Sequence, residues 1–339
     1  MGNNAGIKND VYSFRSMKDV LNDRKKNKYS LWHKETGNDA AFTASYRLKQ
    51  EELFVSIKPE VQLKKDNVFF TVGSCFARRL EQALNRRGIA VPAFTHMLGE
   101  REAFPTLQYI NKYNSYTILY EIEYALGIKE NPYETIFGSD TNGYTCGQSV
   151  HLNKEDYAAV KNRRSIILEC FRQFINADVL VFTLGMTEAW YDNLSERYLN
   201  TFSPAIMMNE ADRYSFKTIS LEENINNLHR IYGYIKAFSK KDFKIFVTVS
   251  PVPLLATFSR KDVLVANSLS KSILRVAADI FSESYENVYY FPSYELAMCS
   301  PREKMFESDL RHISEHGAGC IIDSFLKVYM PDCTNSTQL

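Results

Sequence analysis

The feature that most constrains this chain is a set of short, unbroken apolar runs, each stopped by glycine or by Ser-Pro. Val68-Phe69-Phe70-Thr71-Val72 stops at Gly73. Val179-Leu180-Val181-Phe182-Thr183-Leu184 stops at Gly185, and Lys244-Ile245-Phe246-Val247-Thr248-Val249 stops at Ser250-Pro251. Runs without polar alternation suit strands covered on both faces. Between them, apolar residues recur at helical spacing: Phe76, Leu80 and Leu84 before Gly88, then Tyr116–Leu126, Ile166–Ile175, Leu221–Phe238 and Val263–Phe281, with a last helix over His316–Tyr329. Val288–Phe291 reads as a fourth strand, and Ile89-Ala90-Val91 as a short additional one. Strands alternating with helices predict a three-layer α/β/α, flavodoxin-like domain with a mostly parallel sheet, in which 68–72, 179–184 and 244–249 lie in the interior.

That domain is expected over residues 61–330, with an irregular N-terminal arm over 1–60 and a tail over 331–339. Residues 129–160 and 191–217 break the strand–helix rhythm. They are polar, Asn- and Tyr-rich insertions, suited to shaping a substrate cleft or a partner surface. Lys plus Arg is 41 against 40 for Asp plus Glu, a formal charge of +1, so no electrostatic footprint for nucleic acid is present. Met1–Val20 has no apolar core of a secretory signal, and no stretch approaches the roughly 20 apolar residues of a membrane span. Cytoplasmic residence is the expectation. The six cysteines (75, 146, 170, 299, 320 and 333) form no CxxC pair, which predicts free thiols rather than a disulfide framework. No His/Cys/Asp/Glu spacing suggests a metal site, and no cofactor is called for.

In parallel sheets, functional groups collect at the carboxyl ends of the strands. The loops there are Gly73-Ser74-Cys75-Phe76-Ala77, Gly185-Met186-Thr187-Glu188 and Ser250-Pro251-Val252-Pro253. Asp309-Leu310-Arg311-His312 precedes the last helix. Cys75 falls in a first helical turn, where the positive end of the macrodipole is expected to lower a thiol pKa and favour the thiolate. Ser74 is either the competing nucleophile or the helix N-cap. His312 is the expected base and Asp309 the group that fixes its tautomer. Ser314 reads as the N-cap of the last helix, and His316 is a competing base. His33, His96, His151 and His229 have no partner motif. Asn114, opening the helix after Tyr113, offers either an amide to an oxyanion or an N-cap. Glu188 is expected to position the Ser74/Cys75 turn. Thr187 offers a hydroxyl, a poorer oxyanion donor than an amide.

The residues GSCFA at 73–77, set between a strand and a helix, resemble the motif of the GSCFA family, which is similar to the SGNH, or GDSL, hydrolases. In those enzymes a Gly-Asp-Ser turn carries the nucleophile, a Gly-x-Asn-Asp loop supplies an oxyanion donor, and an Asp-x-x-His completes the triad. The order matches here over roughly residues 50–330, with departures: Cys75 stands where serine is usual, Ser74 where aspartate is usual, and Thr187 where asparagine is usual. The resemblance implies an acyl-ester hydrolase or O-acyltransferase acting on a small-molecule or carbohydrate ester, without a bound cofactor, although acyl-CoA is a conceivable donor. Cys75, Ser74, His312 and Asp309 would be catalytic. Gly73, Asn114, Gly185, Thr187 and Glu188 would surround the substrate. The rival reading is a non-catalytic glycan-binding or assembly module that keeps the fold and stacks Trp190, Tyr191, Tyr198 and Phe202 on sugars.

Overall fold

The computed structural model describes residues 14–37, 39–51, 53–100, 107–150 and 154–334. Its strands are β1 (Phe69–Gly73), β2 (Ile136–Ser139), β3 (Gly143–Cys146), β4 (Val179–Leu184), β5 (Glu188–Asp192), β6 (Arg197–Tyr198), β7 (Tyr214–Thr218), β8 (Lys244–Val249) and β9 (Val288–Tyr290). The central sheet has the order β1-β4-β8-β9. All three pairings are parallel, with Phe70 beside Leu180, Thr183 beside Thr248, and Phe246 beside Tyr289.

The pleat sends alternate side chains to opposite layers. Phe70, Val72, Leu180, Phe182, Ile245 and Val247 share one core with the helices Ser115–Ala125, Tyr157–Arg172, Leu221–Phe238 and Val263–Glu283. Phe69, Val179, Val181 and Phe246 share the other with the helices Cys75–Arg86 and Glu315–Tyr329. Phe246 is fully buried there against the rings of Phe325 (5.0 Å) and Tyr329 (4.7 Å). Burying an aromatic or aliphatic side chain of this size stabilises by about 1.5–3 kcal/mol, so the two apolar faces of the sheet hold the three layers together. The expected α/β/α architecture is the observed one.

Helices begin where a side chain can satisfy an orphan N–H. Ser74, Asn114, Asp156, Ser220, Asp262 and Ser314 are all N-caps whose side chains accept from the first turn. Ser220 and Glu223 form a reciprocal capping box.

Two expectations are corrected. Ile89-Ala90-Val91 makes no strand: Ala90 O accepts one bond from Phe69 N (2.8 Å), and then Pro92 opens the helix Pro92–Gly99. Proline brings no N–H to a ladder and suits the first turn of a helix. β1 is therefore the outermost strand of the central ladder, while β4 and β8 are interior. The two polar insertions are also more regular than they read. One holds the antiparallel hairpin β2–β3, and the other helps build an antiparallel sheet of order β6-β5-β7.

The first insertion is tied to the core by a buried ion cluster. Glu121 accepts from Lys112 Nζ (2.7 Å) and from Arg164 Nη1 (2.5 and 2.6 Å), and all three are almost wholly buried. Lys112 also donates to Gln148 O, and Arg164 Nε donates to Pro132 O (3.1 Å). N-terminal to the sheet, the described residues include the exposed helix Met17–Lys26. No helix among the described residues is long and apolar enough to cross a membrane.

Candidate functional site

The site begins at a glycine that nothing else can replace. Gly73 has φ +135°, and a Cβ there would sit 2.1 Å from Thr183 O. The sharp turn this permits sends the chain straight from β1 into the helix Cys75–Arg86. Ser74 is buried. Its N–H donates to Thr183 Oγ1 (2.9 Å), and its Oγ accepts from Phe76 N (3.3 Å) and donates to Ser250 Oγ (2.8 Å). The hydroxyl is thus committed to capping the helix and to bridging β1 and β8.

Cys75, the next residue, is half-buried and lines a pocket of about 380 Å³. The pocket lies at the carboxyl ends of β1, β4 and β8, and the second insertion walls it. Gly185 at the end of β4 belongs to this wall. A Cβ there would meet Tyr113 O at 2.7 Å, so a glycine lets the two loops close up. Ser250, Val252 and Pro253 form a further side, as expected of the turn after β8.

Arg311 and His312 reach the same pocket from the loop before the last helix. Asp309 Oδ2 meets His312 Nδ1 at 2.6 Å, and Asp309 Oδ1 accepts from the backbone N–H groups of Arg311 (2.9 Å) and His312 (3.0 Å). Those N–H groups and the imidazole hold the Asp309 carboxyl down to about 2. The ionised carboxylate can only accept, so Nδ1 carries the proton and Nε2 presents its lone pair. That lone pair faces Arg311 Nη1 at 2.9 Å.

The Cys75 thiol runs against the sequence expectation. Burial pushes it up. The charges of Arg311 and Lys271 and the N–H groups of Cys75 and Phe76 pull the other way without prevailing. Desolvation of a thiolate outweighs one helix terminus. The sulfur is therefore a thiol at neutral pH, and its proton must leave during the reaction.

Two expected contributors are placed elsewhere, and a third reaches the pocket in another role. Thr187 is fully buried and does not line the pocket: its N–H donates to Ser270 Oγ (3.0 Å), and its own hydroxyl has no protein partner. Asn114 is a buried N-cap. It accepts from Thr117 N (3.0 Å) and donates to Leu199 O (3.1 Å), and it does not line the pocket. Glu188 lines the pocket but does not position the Ser74/Cys75 turn: its carboxylate accepts from Thr257 Oγ1 (2.6 Å) and Phe258 N (3.0 Å), pinning the loop after β8.

The other described histidines do not line the pocket. His316 is exposed, with Nε2 3.5 Å from Cys320 Sγ. His229 bonds Tyr285 OH (2.8 Å), His33 bonds Ser45 (3.0 Å) and His96 faces Glu169 (3.8 Å). His151 lies outside the described residues.

Two residues escaped the sequence reading. Lys271 is buried inside the helix Val263–Glu283, where Nζ donates to Gly185 O (2.7 Å) and Val252 O (2.8 Å). Burial brings this amine down to about 7. Its signal was available: Lys271 shares the apolar face of its helix with Ala266, Leu274 and Ala278. Arg311 stands inside the Asp-x-x-His motif, and nothing in the spacing sets it apart.

The far wall is apolar. Trp190, Phe202, Phe216 and Phe258 pack on one another, with Trp190 stacked on Phe202 at 4.3 Å and 13°. Tyr191 and Tyr198 belong to a separate cluster with Tyr116 and do not line the pocket. Rings that stack on each other offer fewer free faces to a sugar. Glu307, Asp309 and His312 place one ligand atom each within 4.8 Å of one another, but His312 commits Nδ1 to Asp309 and the two carboxylates are exposed.

Fold and site together define a parallel α/β protein in which a thiol and a histidine held by an aspartate open on one pocket at the strand carboxyl ends. The chain belongs to the GSCFA family, whose sequence model matches residues 68–325. Among curated proteins no sequence matches it. Among solved structures it is similar to the crystal structure of a carbohydrate esterase family 3 from Talaromyces cellulolyticus, at 13% identity and a TM-score of 0.25. That match covers 48% of this chain and 61% of the other.

Proposed function

We propose that this protein is an acyl-ester hydrolase or O-acyltransferase in which Cys75 attacks the acyl carbonyl. The observation that carries the reading is the division of labour in the turn. Ser74 and Cys75 both line the pocket that Arg311 and His312 also line, but Ser74 Oγ is spent on Phe76 N and Ser250, while no side chain among the described residues hydrogen-bonds the Cys75 thiol. Because burial pushes the thiol up, it reacts by concerted proton loss rather than as a standing thiolate. Cys75 Sγ forms a bond to the carbonyl carbon as its proton passes to His312 Nε2. The carbonyl oxygen gathers charge near the helix N-terminus, where the helix dipole and the Cys75 N–H favour it, the Ser74 and Phe76 N–H groups being held by Thr183 Oγ1 and Ser74 Oγ. The C–O bond then breaks, and His312 returns the proton to the leaving alkoxide. Water releases the acyl group from the thioester, or a second hydroxyl accepts it.

Asp309 keeps the imidazole in the tautomer this cycle needs. The apolar wall of Trp190, Phe202, Phe216 and Phe258 suits the acyl chain, and an O-acylated carbohydrate is the substrate class the reading favours. Residues 61–330 are taken as the catalytic unit.

The test is hydrolysis of p-nitrophenyl esters by wild type, Cys75→Ala and Ser74→Ala. Cys75→Ala is expected to lose about 10³-fold or more in kcat/KM. Ser74→Ala is expected to lose far less, together with the stability of an N-cap, about 0.5–2 kcal/mol. A dead Ser74→Ala beside an active Cys75→Ala would transfer the attack to Ser74. Activity in both variants would end the reading.

A further inference from the structure

The guanidinium that stands against the base is the feature this mechanism leaves unexplained. Arg311 is half-buried, lines the pocket and places Nη1 2.9 Å from His312 Nε2. Its Nε is buried and has no hydrogen-bond partner, and among the described residues no carboxylate forms an ion pair with it. Asp309, the nearest acid in sequence, accepts from the backbone N–H of Arg311 and gives its other oxygen to His312. A guanidinium is permanently charged and only donates. In this arrangement Arg311 therefore occupies the one lone pair through which His312 can act as a base. It also holds unspent donors over a pocket whose opposite wall is apolar.

We infer that Arg311 is the recognition site for an anionic group on the substrate, a carboxylate or phosphate carried by the ester, and that its engagement releases His312 Nε2. The inference rests on the proposed ester chemistry. An oxyanion within reach of Arg311 competes with a neutral imidazole nitrogen for the same donors and wins, because charge-assisted bidentate bonds to the fork of a guanidinium are the stronger ones. Drawing Arg311 toward the substrate uncovers the base only when a substrate is present. It also neutralises the positive charge that would oppose a proton arriving on His312. The substrate then has two ends: an apolar acyl part against Trp190 and Phe258, and an anion at Arg311.

Matched ester pairs provide the test. p-Nitrophenyl hemisuccinate against p-nitrophenyl butyrate places the anion on the acyl side. 4-Acetoxybenzoate against its methyl ester places it on the leaving-group side. Wild type is expected to favour the anionic member of at least one pair by roughly tenfold or more in kcat/KM, and the pair showing the preference tells which side carries the group. In Arg311→Met the ratio is expected to fall close to one, and in Arg311→Lys to recover only in part, since an ammonium lacks the bidentate fork. The wild-type ratio needs no variant, so a misfolded substitution does not spoil the measurement. Cys75-dependent turnover of all four esters without an anionic preference would overturn the inference and leave the esterase reading standing. An anionic preference that survives in Arg311→Met would also overturn it. Absence of any Cys75-dependent turnover would strike the esterase reading itself.

Discussion

Two lysines in this molecule are buried to the same degree and are held in opposite ways. Lys112 faces Glu121 at 2.7 Å, and Arg164 completes the cluster. Lys271 has no carboxylate partner among the described residues and donates instead to two backbone carbonyls, Gly185 O and Val252 O. Glu121 feels burial pushing it up, yet Arg164 and Lys112 overcome this and hold it ionised. Burial also pulls Lys112 down, with Glu121 opposing it, whereas Lys271 feels burial with little to oppose it and falls to about 7. The lysine paired with a carboxylate ties an insertion to the core; the one without such a partner acts electrostatically on the Cys75 thiol. Both bond backbone carbonyls at the carboxyl ends of the central strands. Lys112 N–H donates to Gly73 O (2.8 Å), and Lys271 clamps the ends of the two strands that flank the pocket.

Breaking the paired side has the largest expected effect. Lys112→Met leaves Glu121 with one cation and strips Gln148 O of a donor. Removing one partner of a buried ion cluster typically costs about 3–5 kcal/mol. The expected result is a large fall in the urea midpoint. An unchanged midpoint would mean that the cluster contributes no net pairing.

On the unpaired side the effect is smaller and depends on pH. The folded pKa of Lys271, about 7, lies below its ordinary 10.5. Between those values the unfolded chain binds a proton that the folded protein refuses, so stability rises with pH across that window and is lost as pH falls toward 7. Lys271→Met abolishes this term. Wild type should gain on the variant as pH rises from 7 to 10, by at most about 1.4 kcal/mol per pH unit. Paired urea melts at pH 7 and pH 9 measure it. A stability difference that stays constant with pH would show that Lys271 is not the depressed group.

The same contrast explains how much the sequence disclosed. Strand runs such as Val179–Leu184 are legible because burial on both faces leaves almost no polar position, and helix starts are legible where Ser74 or Ser314 caps them. The loop order Gly73, Gly185, Asp309/His312 is legible because a parallel sheet fixes where its loops gather. The edge position of β1 was hidden, since Ile89–Val91 has strand composition and only Pro92 argues against it. The β5–β7 sheet was hidden because its strands are short and lie within a stretch rich in loop residues. Side-chain destinations at the loops were the least legible. Thr187 and Glu188 are adjacent, yet one is sealed under Ser270 and the other lines the pocket, and chain direction after Gly185 decides this rather than residue type. The thiol of Cys75 was misjudged because helix-terminus electrostatics can be read from sequence, whereas burial cannot.

The smallest expected effect is the sharpest test of the contrast, because both variants remove one buried positive charge. Lys271 and Arg311 are the two cations that pull the Cys75 thiol down against burial, and Lys112 is not among the groups that act on it. Iodoacetamide reads the thiolate fraction directly and needs no substrate. At pH 7, where Lys271 still carries partial charge, Lys271→Met should slow alkylation of Cys75 roughly three- to tenfold. Lys112→Met, assayed well below its unfolding midpoint, should leave the rate near wild type. Toward pH 9 the Lys271 amine is largely neutral in the wild type, so the two proteins should converge in rate. Convergence is the part that a merely structural role for Lys271 cannot reproduce, since a displaced Gly185 or Val252 loop would alter the rate at every pH. Equal slowing in both variants would mean that the sulfur senses the integrity of the turn rather than a charge, and the division between a structural lysine and a site lysine would fall.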